Sequence, residues 1–252
     1  MDRRSFMLGT AAGALLISAK GLAFAQEAAG TAPDLAAFPR NETLIIHNPE
    51  GVIRNPAWFN NWVIGSGAGL SNGLHNLTTD TFWFIDPDAG IEGASENAIY
   101  NSLADDLWQY NEDFTEMTVK LKQGIYWSDG NEFTADDVVF TVEKHKATPG
   151  LAQNGAYNAQ VASVEAVDPY TVKFTLNGPN SRFHTLFSIR WGGAWIMSKA
   201  QFEGVEDILS FPNDPPVSIG PYTLHSYDPN GTWYIWQRRE DWQRTALGMI
   251  AE

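Results

Sequence analysis

The side chains able to carry acid–base or metal chemistry are few and badly spaced for it. The five histidines are His47, His75, His145, His184 and His225. None pairs as H-E-x-x-H or at a comparable interval, which argues against a zinc site. Gly65-Ser66-Gly67-Ala68-Gly69 has the look of a phosphate loop, but the third glycine of a dinucleotide fingerprint is missing and no Gly-Lys-Ser/Thr follows. A serine-hydrolase elbow needs serine between two x-Gly arms, and here glycine holds the centre. Asp86-Pro87-Asp88 starts like a calcium loop, yet Gly90 and Asn97 fall where such a loop wants other residues, so a turn is the better account. Two acid pairs remain, Asp105-Asp106 and Asp136-Asp137. Glycoside hydrolysis needs carboxyls facing each other across a sugar, and adjacent acids on one segment do not provide that. The residues therefore argue for no catalytic group, no metal and no cofactor. A secreted carbohydrate-active hydrolase stays as the alternative, because the chain is acidic and rich in tryptophan.

The frame that would position any site is a chain of 252 residues, 44% of them hydrophobic, with 10 Trp, 8 Tyr and 14 Phe. That suffices for a sizeable core and excludes wholesale disorder. The formal charge of −14 disfavours nucleic acid and anionic lipid, which demand Lys and Arg. Cysteine is absent, so neither disulfides nor thiolate metal sites contribute.

The first residues read as an address. Arg3 and Arg4 form a basic start, Leu8 to Ala19 is a weakly apolar run too short for a stable span, and Ala23-Phe24-Ala25 is a small-x-small cleavage site. Arg3-Arg4-Ser5-Phe6-Met7, with Lys20 before the cut, is similar to a twin-arginine export signal. The expected organisation is a signal over residues 1–25, a loose leader over 26–41 and one lobe over 42–252. The expected location is periplasmic.

Thr43 to Ile46 reads as a first strand, and the stretch from Asn48 to Asn76 has no regular period. Thr115 to Leu121 alternates polar and apolar, as a half-buried strand does. Ile125 to Trp127 reads as a short strand before the Ser128-Asp129-Gly130 turn. Thr134 is an N-cap, Asp136 and Asp137 sit in the first helical turn, and Phe133 with Val138 makes a hydrophobic staple. Val138, Val139 and Val142 form the buried stripe, and Thr148-Pro149-Gly150 stops the helix. Ala159–Val167 and Tyr170–Leu176 flank the turn Asp168-Pro169. Residues 222–227 and 232–238 flank Asp228-Pro229-Asn230-Gly231. Short helices are expected at 182–187 and 199–204. This order predicts a mixed α/β fold with largely antiparallel hairpins, not a regular βαβ array.

The run from Tyr110 to Phe140, with Gly124-Ile125-Tyr126-Trp127-Ser128-Asp129-Gly130 and Phe133-Thr134-Ala135-Asp136-Asp137-Val138 inside it, resembles the family 5 extracellular solute-binding proteins. Val164 to Leu176, Ser218-Ile219-Gly220-Pro221-Tyr222 and Arg238 to Trp242 resemble further segments of that family, and the likeness runs from about residue 42 onward. The resemblance implies a type II periplasmic-binding-protein lobe, here truncated before the second lobe. It implies capture of an oligosaccharide or oligopeptide for the membrane permeases of an ABC importer. The motif segments themselves belong to scaffold. In such lobes ligand contacts come from irregular loops, which points to Asn60, Asn61, Trp62, Asn72, His75 and Trp83. Asn60-Asn61-Trp62 is similar to the opening of the oligosaccharide-binding branch. Arg190, Trp191 and Trp195, beside Gly192-Gly193, form a second group. The tryptophan-rich loop tilts the expected ligand toward oligosaccharide.

Overall fold

A computed structural model describes residues 38–45, 51–65, 77–85, 99–188 and 193–250. The export signal, most of the leader, the Asp86 turn and the expected ligand contacts Asn72, His75, Arg190 and Trp191 lie outside these residues.

Period-two alternation builds the central sheet. Strands β3 (Gln109–Tyr110), β4 (Glu116–Lys120), β5 (Val161–Asp168) and β6 (Thr171–Leu176) lie in the order β3-β4-β6-β5, all antiparallel. Met117 faces Phe174 across the ladder and Val119 faces Val172, and all four are buried. A one-residue slip would turn this whole set outward, so the alternation fixes the register. Truncating Phe174 to alanine would cost about 3–5 kcal/mol through lost burial and the cavity left behind.

Helix α1 (Ala135–Ala147) covers that face with Val138 and Val142 fully buried. It starts at Thr134, as the cap signal predicts, and Thr134 and Asp137 form a capping box. Asp137 does more than meet the helix dipole. Its buried carboxylate accepts the Thr134 N–H at 3.0 Å and the Lys199 N–H at 2.8 Å, tying the start of α1 to the start of α3 (Lys199–Phe202). Burial pushes the Asp137 carboxyl pKa up, and those two N–H groups oppose the shift. Helix α2 (Asn154–Gln160) follows a turn after α1 and buries Tyr157.

Two antiparallel ribbons complete the strands: β1 (Trp83–Ile85) with β2 (Ile99–Asn101), and β7 (Tyr222–Tyr227) with β8 (Tyr234–Arg238). The β7–β8 turn is organised by the Asp228 carboxylate, which accepts the Asn230 N–H at 3.1 Å, the Thr232 N–H at 3.3 Å and the Thr232 hydroxyl. A short helix α4 spans Ala246–Ile250.

Two expectations fail for local reasons. Thr43 to Ile45 forms no strand: Leu44 and Ile45 are exposed, and among the described residues no strand lies beside them. Ile125 to Trp127 makes only one bridge, Tyr126 to Glu132, because the chain at once turns on the Trp127–Asn131 hydrogen bond. The short helix expected at 182–187 forms as a 3-10 helix over Phe183–Phe187. Sequence reasoning missed β1, β2, β3, α2 and α4.

Candidate functional site

The segments that carry the family resemblance meet at one buried side chain. Arg239, at the end of β8, is 6% exposed. Its guanidinium donates to both Asp241 carboxylate oxygens, at 2.9 and 2.8 Å. Its other bonds reach the carbonyls of Tyr126 at 2.9 Å, Trp127 at 3.2 Å, Ser218 at 3.2 Å and Gly220 at 3.3 Å. The fixed fork of a guanidinium serves so many acceptors, which an ammonium would not. Ser128 N–H donates to Ser218 O at 2.8 Å, and Ser218 N–H donates back to Ser128 Oγ at 2.9 Å. Ile219 N–H reaches Thr78 O at 2.9 Å. Gly220 lies so close to the Leu77 carbonyl that a Cβ would overlap it. This is scaffold, and it sets where the irregular segments lie.

The irregular segment that matters is 58–64. Phe59 N–H donates to Pro212 O at 2.8 Å, and Asn213 Nδ2 donates to Phe59 O at 3.1 Å. Asn60 is fully buried; its Nδ2 donates to Ile208 O at 2.8 Å and Phe211 O at 3.0 Å, and its Oδ1 accepts the Trp62 N–H at 3.3 Å. Trp62 is 5% exposed and sends its indole N–H to Trp195 O at 2.9 Å. Its ring meets Phe202 edge-on, inside a second apolar cluster with Leu151, Met197 and Ile208. On the other side Ala152 N–H donates to Trp62 O at 2.7 Å and Ile64 N–H to Gly150 O at 3.0 Å. The segment is thus strapped from both flanks.

Between the two saturated residues lies Asn61. It is 7% exposed, and neither Nδ2 nor Oδ1 has a hydrogen-bond partner among the described residues. Asn213, 1% exposed and held at φ 59°, likewise leaves its Oδ1 unpartnered. Asparagine tolerates that left-handed backbone where most side chains do not. Leaving a buried polar group unpaired costs about 1–3 kcal/mol, so each such group calls for a reason. Nothing in the sequence singles out Asn213 beyond its place in an Asn-Asp-Pro-Pro turn.

Three expected ligand contacts are engaged within the fold. Asn60 has its amide fully engaged by backbone, Trp62 is a packing residue, and Trp83 is 0% exposed with its N–H on Asp106 O at 2.9 Å. Phe82 and Trp108 pack against the Trp83 ring edge-on, so no face is left for a sugar. Trp195 is half-buried and adjoins the 58–64 strap through its carbonyl.

Three of the four paired acids are engaged locally. Asp137 is spent on helix starts, Asp136 pairs with Lys199 at 3.3 Å, and Asp106 Oδ1 accepts the Leu107 N–H at 2.7 Å. His145 is buried and accepts the Gln153 N–H at Nδ1, and desolvation pulls its pKa down to about 4. His184 lies flat on Trp108 at 3.5 Å between ring centroids, and burial lowers its pKa as well.

The described residues form a mixed, mainly antiparallel α/β unit around the Arg239 clasp. Residues 98–248 match the middle region of the bacterial extracellular solute-binding proteins, family 5, and the chain belongs to that family. Over 153 residues it is 31% identical to a probable peptide-binding protein, YejA, of Agrobacterium fabrum, covering 58% of this chain and 24% of that protein. It is 27% identical to the glutathione-binding protein GsiB of Escherichia coli, over 55% of this chain and 26% of the relative. Among solved structures it resembles the mannohexaose-bound periplasmic oligopeptide-binding protein of Thermotoga maritima. The TM-score there is 0.63 at 25% identity, over 76% of this chain and 33% of that one. The chain thus spans about a quarter of the length of these curated relatives and a third of the solved one.

Proposed function

We propose that this chain is part of an exported receptor that captures a short peptide and delivers it to the permeases of an ATP-driven importer. The observation that carries the choice of ligand is the burial of Trp62 and Trp83. Stacking on a pyranose needs an open aromatic face, and these two rings spend theirs on the core. The relatives named peptide-binding and glutathione-binding support the same choice. Asn61 and Trp195 are the ligand contacts proposed within the described residues. Asn72, His75, Arg190 and Trp191 keep that role as proposals from sequence. Residues 1–25 serve as the export signal, with cleavage after Ala25, and the receptor works in the periplasm.

An oligosaccharide is the second reading, favoured by the mannohexaose held by the Thermotoga maritima protein. The two part in a simple titration. Adding tri- to penta-alanine to the exported protein should shift its tryptophan emission saturably, while mass spectrometry finds the peptide intact. A shift with manno-oligosaccharides alone would move the assignment to sugar. Release of a cleaved product would overturn the receptor reading.

A further inference from the structure

Four Asn-Gly pairs stand in the chain, beginning at Asn72, Asn154, Asn177 and Asn230. In such a pair the glycine nitrogen can close onto the asparagine side-chain carbonyl carbon, because glycine puts no Cβ in the way. The first pair lies outside the described residues, and the other three differ in what holds them. Asn230 sits in the β7–β8 turn. There the Gly231 N–H is already given to Asp228 O at 2.8 Å, and Gly231 packs so closely on Ile53 that a Cβ would overlap its carbonyl. Asn154 opens helix α2, whose torsions lie outside those a five-membered imide needs, and its Nδ2 donates to His145 O at 2.8 Å and Lys146 O at 3.1 Å. Asn177 follows β6, outside any regular element, and is exposed. The Gly178 N–H makes no hydrogen bond among the described residues, and the space where a Cβ would stand is open.

Asn177 also closes the end of α2. Its N–H donates to Gln160 O at 2.9 Å, and its Nδ2 donates to Asn158 O at 3.1 Å and Ala159 O at 3.0 Å. These carbonyls belong to the last turn of the helix, where none has a partner inside it. We propose that Asn177 is a site of spontaneous deamidation, and that its conversion uncaps α2. Gly178 N attacks Asn177 Cγ; the N–Cγ bond forms, the Cγ–Nδ2 bond breaks, and Nδ2 leaves as ammonia with the proton that Gly178 gives up. Water then opens the imide at either carbonyl. One opening yields aspartate, and the other yields isoaspartate, with the main chain rerouted through Cβ and Cγ. The net reaction consumes one water and releases one ammonia, with no oxidant or reductant. Either product sets a carboxylate, which only accepts, against carbonyl oxygens that also only accept. The new charge also stands at the negative end of the helix. Helix α2 thereby loses the side-chain bonds that close it and keeps Tyr157 as its buried anchor.

The test ages the exported full-length protein in mildly alkaline buffer, where the attacking nitrogen gives up its proton more readily. Peptide mapping by mass spectrometry, labelling by an isoaspartyl methyltransferase and thermal melting follow the change. The Asn177 peptide should convert several-fold faster than the Asn154 and Asn230 peptides, and the melting temperature should fall in step with it. Unaged Asn177→Asp should already melt below fresh wild type. Asn177→Gln, whose longer side chain disfavours the five-membered ring, should gain no isoaspartate at that position and should hold its melting temperature through the same incubation. Conversion led by Asn154 or Asn230, or equal at all three, would overturn the site. Conversion at Asn177 with no change in melting, or the same drift in Asn177→Gln, would overturn the uncapping.

Discussion

Arg239 grips Asp241 through two hydrogen bonds, of 2.9 and 2.8 Å, and with its remaining N–H groups holds carbonyls more than a hundred residues earlier in the chain. This single side chain joins the turn after β4, the Ser218–Gly220 segment and the end of β8. Replacing it with methionine should destabilise the protein by about 3–5 kcal/mol, since the lost charge strands buried carbonyls together with a paired carboxylate. Lysine should not restore the loss, because an ammonium lacks the fork. The midpoint of urea unfolding, compared across Arg239→Met and Arg239→Lys, measures both.

His145 gives the fold an acid sensitivity with a definite sign. Its folded pKa, about 4, lies below its ordinary value of 6.5 because burial disfavours the charged ring. The unfolded chain therefore takes up a proton first. The stability His145 contributes is complete above about pH 6.5 and is lost as pH falls toward 4, by roughly 3 kcal/mol in all. Unfolding free energy measured between pH 7 and 4 should fall less steeply in His145→Gln than in wild type.

The stack of His184 on Trp108 is a built-in reporter. Tyr110 accepts the His184 backbone N–H at 3.0 Å, and its hydroxyl lies 3.2 Å from Nδ1, an arrangement suited to a neutral ring that accepts there. Protonation places an imidazolium flat on the indole and quenches its emission. Tryptophan fluorescence should drop in a transition below pH 6.5, since burial lowers this pKa. His184→Gln should abolish that step without removing the slower acid loss tied to His145.

What the sequence makes legible is local. Helix α1 carries its cap, staple and stop between Phe133 and Gly150, and it forms where those signals place it. The β5–β6 and β7–β8 hairpins have turn chemistry between alternating strands, and both pairings occur. Strands β1 and β2 are three residues each and pair across residues 86–98, so no local period announces them. Helix α2, Asn-Gly-Ala-Tyr-Asn-Ala-Gln, is short and holds a Gly and two Asn, which weaken it, and Tyr157 anchors it in the core. The site was readable by neighbourhood and not by residue. Asn60 and Asn61 are chemically identical neighbours, and only the path of the 207–213 segment decides which amide is used up. Trp83 looks like a cleft residue in a tryptophan-rich loop, and only packing against Phe82 and Trp108 shows it to be core.

The receptor reading is tested most directly by titration calorimetry of the exported, full-length protein against tri- to penta-alanine and, in parallel, manno-oligosaccharides of matching size. Saturable one-to-one binding of the peptides, with the sugars inert and the peptide recovered unchanged, is the result expected. Heat from the sugars alone, or turnover of either ligand, would contradict it.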